Sequence, residues 1–484
     1  MSPKALNTLL RLALVPLTAA VLVATGCSGS MTNSTTGTQS SASGPAFLIG
    51  TDAPLASVVS MQVTFQDVEL TNGTNTTATL VKGTPTVDFA RYNGLQGLVD
   101  MVDVPAGTYT GVTFVLQSGM VSWLDTSGGG APTVQSAQAA FSNSTITVQL
   151  PKALVVGDKT PPVGVRLDFD LGKSIQTSGG QIVVNGSGDV EVDPTFDITT
   201  VARGDQGAHI DEQVGGLVSG PTSTTEPSSF VIQGPHGENF TINTSSSTEW
   251  DGGATLSELN SNSIVAVSGE LDPSDQTLDA DEVAILSDKG FYAGGTVTYV
   301  TPSSGQATAM QMYVRHVLPS QLSAAPLGGL ANVTITGNEK YGIYWMHNAF
   351  TDLLFNASAL TPGQEIAVGG ADPTASPFTV DRIHLRNWGY NGTVVAGSQN
   401  SGQGTFTMKV NGFVGQLISS DVVVYLGPQC DFRYGLGSFT DLTDSTSIRV
   451  VGILLKNSIN GQLVLVARHI DGTDFTDFTT AAWQ

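Results

Sequence analysis

The chain has 484 residues, with 41 Asp and Glu against 19 Lys and Arg, a formal charge of −22 and no basic stripe. That balance excludes a nucleic-acid reader, which needs a positive face for phosphate, and gives anionic lipid no electrostatic handle. Charged residues make up only 12%, glycine reaches 56 and cysteine stops at 2. This is the profile of an exported, turn-rich β-protein stable without a disulfide framework, and about 440 residues beyond the N-terminal leader suggest three or four domains.

The leader has three parts. Lys4 and Arg11 supply charge, residues 12–23 are apolar, and Ala24, Thr25 and Gly26 run into Cys27. A charged start, a short apolar core and a small-residue exit mark a secretory signal. The core is shorter than the roughly 20 residues a spanning helix needs. The ending Ala-Thr-Gly-Cys resembles the lipobox of bacterial lipoproteins. The resemblance implies that residues 1–26 are removed and that Cys27 becomes a lipidated N-terminus, carrying palmitate; the alternative is a plain signal with a chance cysteine. A thiolate is the natural nucleophile for thioether formation, and several acyl chains hold where one is marginal. Ser28 rather than Asp follows, which by the same resemblance implies export to the outer membrane, on its periplasmic or surface face. Loss of Lys4 and Arg11 takes the charge from −22 to −24 and leaves Cys430 as the lone free thiol, expected to be buried as a small hydrophobe. Residues 27–45 are the lipidated cysteine and its Ser/Thr-rich tether, about 23 Å long as a random coil.

Residues 46–202 alternate apolar and polar side chains between Gly, Pro and Asn turns, which predicts a β-sandwich. In "MQVTFQDVEL" Val63, Phe65 and Val68 form the apolar face, and the change of phase predicts a bulge or strand end. The segments "TDAP", "MQVTFQDVEL", "VDVPAGTYTGVTFVL" and "VRLDFDLGKSI", in that order, resemble a bacterial family known as domain of unknown function 4382. The resemblance implies an exported immunoglobulin- or transthyretin-like sandwich, with no activity to carry over.

The remainder repeats itself three times. "LNSNSIVAVSG", "LTPGQEIAVGG" and "LTDSTSIRVVG" share a Leu, a Val-x-Val or Ile-x-Val pair six residues on, and a closing Gly. The second strands stay in register, with Val283 and Ile285 matching Ile383 and Leu385, then Arg468 and Ile470. Units at 213–288, 289–387 and 388–477 are too long for a solenoid and suit small closed barrels of about five strands. Val-x-Val faces the interior, the Gly permits a sharp bend, and the upstream Leu plugs one end. The units resemble the OB-like barrel of domain of unknown function 5666, with Arg468 the departure in the third. The fold class is thus all-β, a sandwich followed by three OB-like barrels.

Motifs of chemistry are scarce. There is no His-Glu-x-x-His, Cys-x-x-Cys, Gly-x-Ser-x-Gly or Gly-Lys-Ser/Thr loop. Asp189, Glu191 and Asp193 alternate along one strand face, and Asp471, Asp474 and Asp477 cluster near the C-terminus. Both are weak candidates for Ca²⁺, since neither has a calcium-loop spacing and a solvated acidic edge is the simpler explanation. "DPSDQTLDADE" reads as a solvated hairpin. His384 and His469 occupy equivalent positions in the second and third units and are expected to point outward into solvent. Tyr344, Trp345, Trp388 and Tyr390 concentrate aromatic surface around the second unit, a platform for sugar rings if exposed and core packing if not.

Two readings follow. One is a non-catalytic envelope lipoprotein, tied to a membrane through its lipid, that scaffolds or binds protein or polysaccharide. The other is an envelope hydrolase or metal-dependent enzyme with a site between β-domains.

Overall fold

The computed structural model describes residues 43–472, apart from short segments among which 158–162, 203–207 and 345–352 are the longest. Nearly all of the regular structure described is β-strand. The first module pairs two sheets. One has Ser43–Ala53 at its centre, parallel to Val163–Asp170 and antiparallel to Gly97–Pro105, with Phe196–Ala202 outside Val163–Asp170. The other is built on the antiparallel pair Ser60–Thr71 and Gly107–Asp125. The expected bulge is there: register shifts on either side of Phe65 keep Val63, Phe65 and Val68 all facing inward. A chain of rings, Phe65, Phe89, Phe114, Phe169 and Phe196, fills the space between the sheets with centroids 4.8–6.1 Å apart.

The three repeats share one strand plan. In the first, His209–Ser219 pairs with both Ser228–Gln233 and Ile264–Asp272, while Asn239–Thr244 runs parallel to the start of Thr277–Ser287 and closes the barrel. The strand order is therefore 1-2-3-5-4 and back to 1, the order of an OB-like barrel. The third repeat closes in the same way, from Trp388–Val394 to Leu463–Gly472. The second is the same barrel with its fifth strand broken, Phe378–Thr379 lying parallel to Leu330–Thr334 and Arg382–Leu385 antiparallel to Glu365–Ala371.

The shared sequence signature has a physical basis. Val265 and Val267, Ile366 and Val368, and Ile448 and Val450 all face barrel cores. Leu360 and Leu442 are buried below them, and Leu259 is half-buried. Gly269 and Gly452 each sit at a register shift, where a Cβ would meet a carbonyl oxygen of the next strand at 2.1 and 2.0 Å. The second repeat has no shift there, and its tight position is Gly369 rather than the aligned Gly370. The same shift corrects the expectation for Arg468. It rotates the strand so that Ala467 takes the inward place, and Arg468 leaves the barrel for Asp211, 2.6 Å away.

The modules are seamed together. The first two barrels meet through an apolar patch that includes Val214, Ala284, Leu286, Tyr292, Tyr344 and Ala367. The second and third share a core through Ile453, Leu455, Val464 and Val466, and the sandwich lends Phe47 and Ile49 to the first barrel.

Candidate functional site: the seam of four modules and its cleft

The short 3-10 turn Phe89–Tyr92 and the loop after it form the hub of the seam. Phe89 anchors the turn in the sandwich core, and residues 88–96 then reach each barrel in turn. Asn93 Nδ2 donates to Gly389 O in the third barrel at 2.7 Å. Gln96 exchanges backbone hydrogen bonds with Asp211 of the first, its N–H donating to Oδ2 at 2.8 Å and its carbonyl accepting from Asp211 N–H. Asp211 also accepts from Arg468, so one carboxylate ties sandwich, first barrel and third barrel. Burial pushes that carboxyl up, but Arg468, His209 and the Gln96 N–H more than offset it and hold it below the usual range.

Gly94 shows why glycine stands in the hub. Its φ is +74°, and a Cβ there would lie 2.3 Å from Val451 Cγ2. Facing it, Arg449 and Asp471 form a buried pair at 2.9 Å. Opposite the second barrel the hub presents Asp88, whose carboxylate accepts from Ser60 Oγ and Met61 N at 2.8 and 2.9 Å. Burial raises its pKa against the pull of Arg315.

Arg315 is the most connected charge in the seam. Its Nε donates to Val59 O of the sandwich at 3.0 Å, and its Nη1 donates to Thr296 Oγ1 and Glu365 Oε2 at 2.5 and 2.8 Å. The guanidinium carbon lies 4.4 Å from the ring centre of Trp388 in the third barrel. The side chain is 2% exposed, and Nη2 has no hydrogen-bond partner among the described residues. Arg386, deeper in, donates to Tyr292 Oη at 2.7 Å and pairs with Glu212.

Beside Arg315 the sandwich and the first two barrels leave a cleft of about 670 Å³. That lies within the range of about 300–1,000 Å³ typical of small-molecule sites. Its lining combines Asp88, Arg91, Gln213 and Arg315 with the aliphatic side chains Leu98, Val99, Val317, Leu322 and Leu327. Arg91 is half-buried, with its guanidinium 5.5 Å from the Tyr92 ring. Leu327 is 52% exposed. A deeper pocket of about 30 Å³ shares Arg91 and Arg315 with the cleft and runs on to Glu365 and Arg386.

The residues singled out by sequence fall elsewhere or take other parts. Trp388, Tyr390 and Tyr344 are 3, 1 and 2% exposed, so the aromatic concentration is seam and core, not a sugar platform. Trp388 stacks under Arg315, Tyr390 Oη donates to Gly363 O, and Tyr344 packs in the apolar seam. His384 and His469 do point out of their barrels, but into neighbouring modules rather than solvent. His384 hydrogen-bonds to the backbone of Ile285 in the first barrel, and His469 to that of Gly94 in the hub. Burial drives both imidazoles toward the neutral form, His384 to about 4.

Asp471 is buried against Arg449, while Asp474 and Asp477 lie outside the described residues, as do Cys27, the leader, most of the tether and Trp345. Glu191 is exposed on the strand Val190–Val192, and Asp193 accepts from Ser142 Oγ at 2.5 Å; Asp189 is half-buried beside the Asn185 turn. No group of three metal-ligating side chains converges among the described residues, and none of their helices is long and apolar enough to cross a membrane. Glu282 corrects the solvated-hairpin expectation. It is buried beside Asp251, and desolvation plus its proximity push the Asp251 carboxyl well above the usual carboxylate range. Cys430 is half-buried, with its thiol pushed up to about 12 by burial, so it is a poor nucleophile.

Sequence reasoning missed residues 88–96 and Arg315. The available signal was an arginine set inside an apolar strand run, as in "MYVRHVL", "IHLRN" and "SIRVVG". A buried guanidinium needs partners from elsewhere in the fold.

Residues 48–191 match the model of the family described as Domain of unknown function (DUF4382). No curated protein matches the chain. Among solved structures, Drosophila Unr CSD456 aligns with 54% of this chain and 96% of its own at 10% identity and a TM-score of 0.14. A fructofuranosidase variant from Schwanniomyces occidentalis complexed with fructosylnystose aligns with 74% of this chain and 72% of its own at 8% identity and a TM-score of 0.10.

Proposed function

We propose that the chain is a non-catalytic lipoprotein of the bacterial cell envelope, anchored to the outer membrane by lipid on Cys27, and that it works by scaffolding or by binding an envelope protein or polysaccharide. The lipobox-like end of the leader and the Ser/Thr tether support the anchor. The barrels' strand plan is in keeping with their likeness to domain of unknown function 5666. One observation carries the binding reading. His384 and His469 and the buried carboxylates Asp211, Glu212, Glu365 and Asp471 lie in seams between modules, and beside them opens a ligand-sized cleft. A body braced in that way holds a surface still for a partner.

The test uses soluble protein comprising residues 28–484 in a pull-down against envelope proteins and glycans, with an ester and glycoside panel run in parallel. Specific capture without turnover is the expected result; turnover without capture overturns the reading. Cys27→Ser is expected to abolish palmitate labelling and release the full chain from membranes. Labelling that persists defeats the anchor.

A further inference from the structure

The cleft between the sandwich and the first two barrels has a lining that the seam does not require. It joins two guanidiniums, Arg91 and Arg315, one carboxyl, Asp88, and the Gln213 amide to the aliphatic side chains Leu98, Val99, Val317, Leu322 and Leu327. In a chain with 41 acids and 19 bases, two guanidiniums lining one cleft run against the overall charge. From this geometry we infer that the cleft binds a single-chain amphipathic carboxylate, its head group at Arg91 and Arg315 and its hydrocarbon along the aliphatic wall.

Three observations carry the assignment. Arg315 is held rigidly by its Nε and Nη1 bonds, yet Nη2 is buried with no partner among the described residues. A buried donor without an acceptor is costly, and a carboxylate oxygen would satisfy it with a charge-assisted bond. Arg91 supplies a second guanidinium in the same lining, and its half-exposed position leaves it room to close on a head group. The carboxyls nearest these arginines, Asp88 and Glu365, are already engaged by Ser60, Met61, Thr296 and Arg315.

The wall argues for hydrocarbon over sugar. Sugar rings are recognised by exposed aromatic faces with many polar partners, whereas this wall is branched aliphatic, with Leu98, Val99, Val317, Leu322 and Leu327. Leu327, exposed where the cleft opens, would cover the chain as it leaves. The inference deepens the binding reading and rests on it in one respect, that the body receives ligands without transforming them.

The experiment is calorimetric titration of the full chain carrying Cys27→Ser, which removes the proposed anchor. Dodecanoate, dodecanol and dodecyltrimethylammonium are the probes, each below its micelle concentration. Dodecanoate is expected to bind one to one and at least tenfold more tightly than the cation. Arg91→Met is expected to weaken dodecanoate at least tenfold while changing dodecanol less than threefold. Leu327→Glu, at an exposed position where folding is not at risk, is expected to weaken all probes that bind. Thermal melts of each variant check that it is folded. No saturable dodecanoate binding, equal affinity for anion and cation, or indifference to Arg91→Met overturns the inference. Capture of a glycan or envelope protein by the same preparation would stand regardless, so the two proposals fail separately.

Discussion

Two seams built on the same barrel position balance apolar contact and charge differently. His384 and His469 align in the repeats, and each leaves its barrel to bond a neighbour's backbone. Around His384 the seam between the first two barrels centres on a patch of Val, Ala, Ile, Leu and Tyr, crossed by the Arg386–Glu212 pair. Around His469 it is a charge network, with Arg449 on Asp471, Arg468 on Asp211 and the Gly94 hub pressed against them. Sequential neighbours, tethered by a few residues, can dock on modest apolar area because their effective concentration is high. The third barrel meets the sandwich from some 300 residues away, and directional bonds fix the one orientation in which four modules close together.

The largest effect that would break this contrast comes from the buried pair. Arg449→Met leaves Asp471 buried without its partner, and such losses cost about 3–5 kcal/mol. The double variant Arg449→Met/Asp471→Asn is expected to recover much of that, since a neutral amide needs no counter-charge. Urea unfolding of both decides the matter. If the double variant is no better than the single, the guanidinium was filling space rather than pairing charge.

Gly94→Ala comes next. The substitution forces a side chain onto a residue with φ of +74° and drives its Cβ into Val451. Together these are expected to cost about 1–3 kcal/mol. Adding Val451→Ala should relieve the clash and leave the strain, returning part of the stability in urea unfolding. Complete recovery would mean that backbone strain plays no part.

These residues also mark where the sequence stopped being legible. Val265 and Val267, or Ile448 and Val450, announce a barrel face because the period of two is local. Gly269 and Gly452 announce a sharp bend, and the structure adds that each sits at a register shift against the next strand. Arg315 and Trp388 carried a signal of type but not of partner. A guanidinium over an indole between two barrels depends on how rigid modules dock, which no window of twenty residues contains. The same ignorance made His384 and His469 look solvated. Outward from a barrel was the right direction, and what waited there was set by the assembly.

The smallest effect separates the two seams by pH. Burial, with Arg382 nearby, lowers His384 to about 4, and His469 is depressed by burial amid Arg433, Arg468 and Arg449. An unfolded imidazole takes its proton near 6.5, so between that pH and the folded value the unfolded state binds more protons. Stability from each histidine is therefore full above about 6.5 and falls as the solution is acidified, by up to about 1.4 kcal/mol per pH unit. Asp88, Glu365 and Asp471 run the other way, because burial raises their pKa values and favours the folded state at low pH. The total curve mixes both signs, so the informative quantity is the difference between variant and parent. His384→Asn is expected to show a difference that grows steadily from pH 6.5 to 4.5, since no carboxylate ion pair reaches that imidazole among the described residues. His469→Asn should show a difference altered by Asp471, whose carboxylate lies 3.7 Å away and can share the proton. Parallel pH profiles for the two variants would mean that the charge network does not reach the imidazole, and that the seams differ in composition but not in electrostatics.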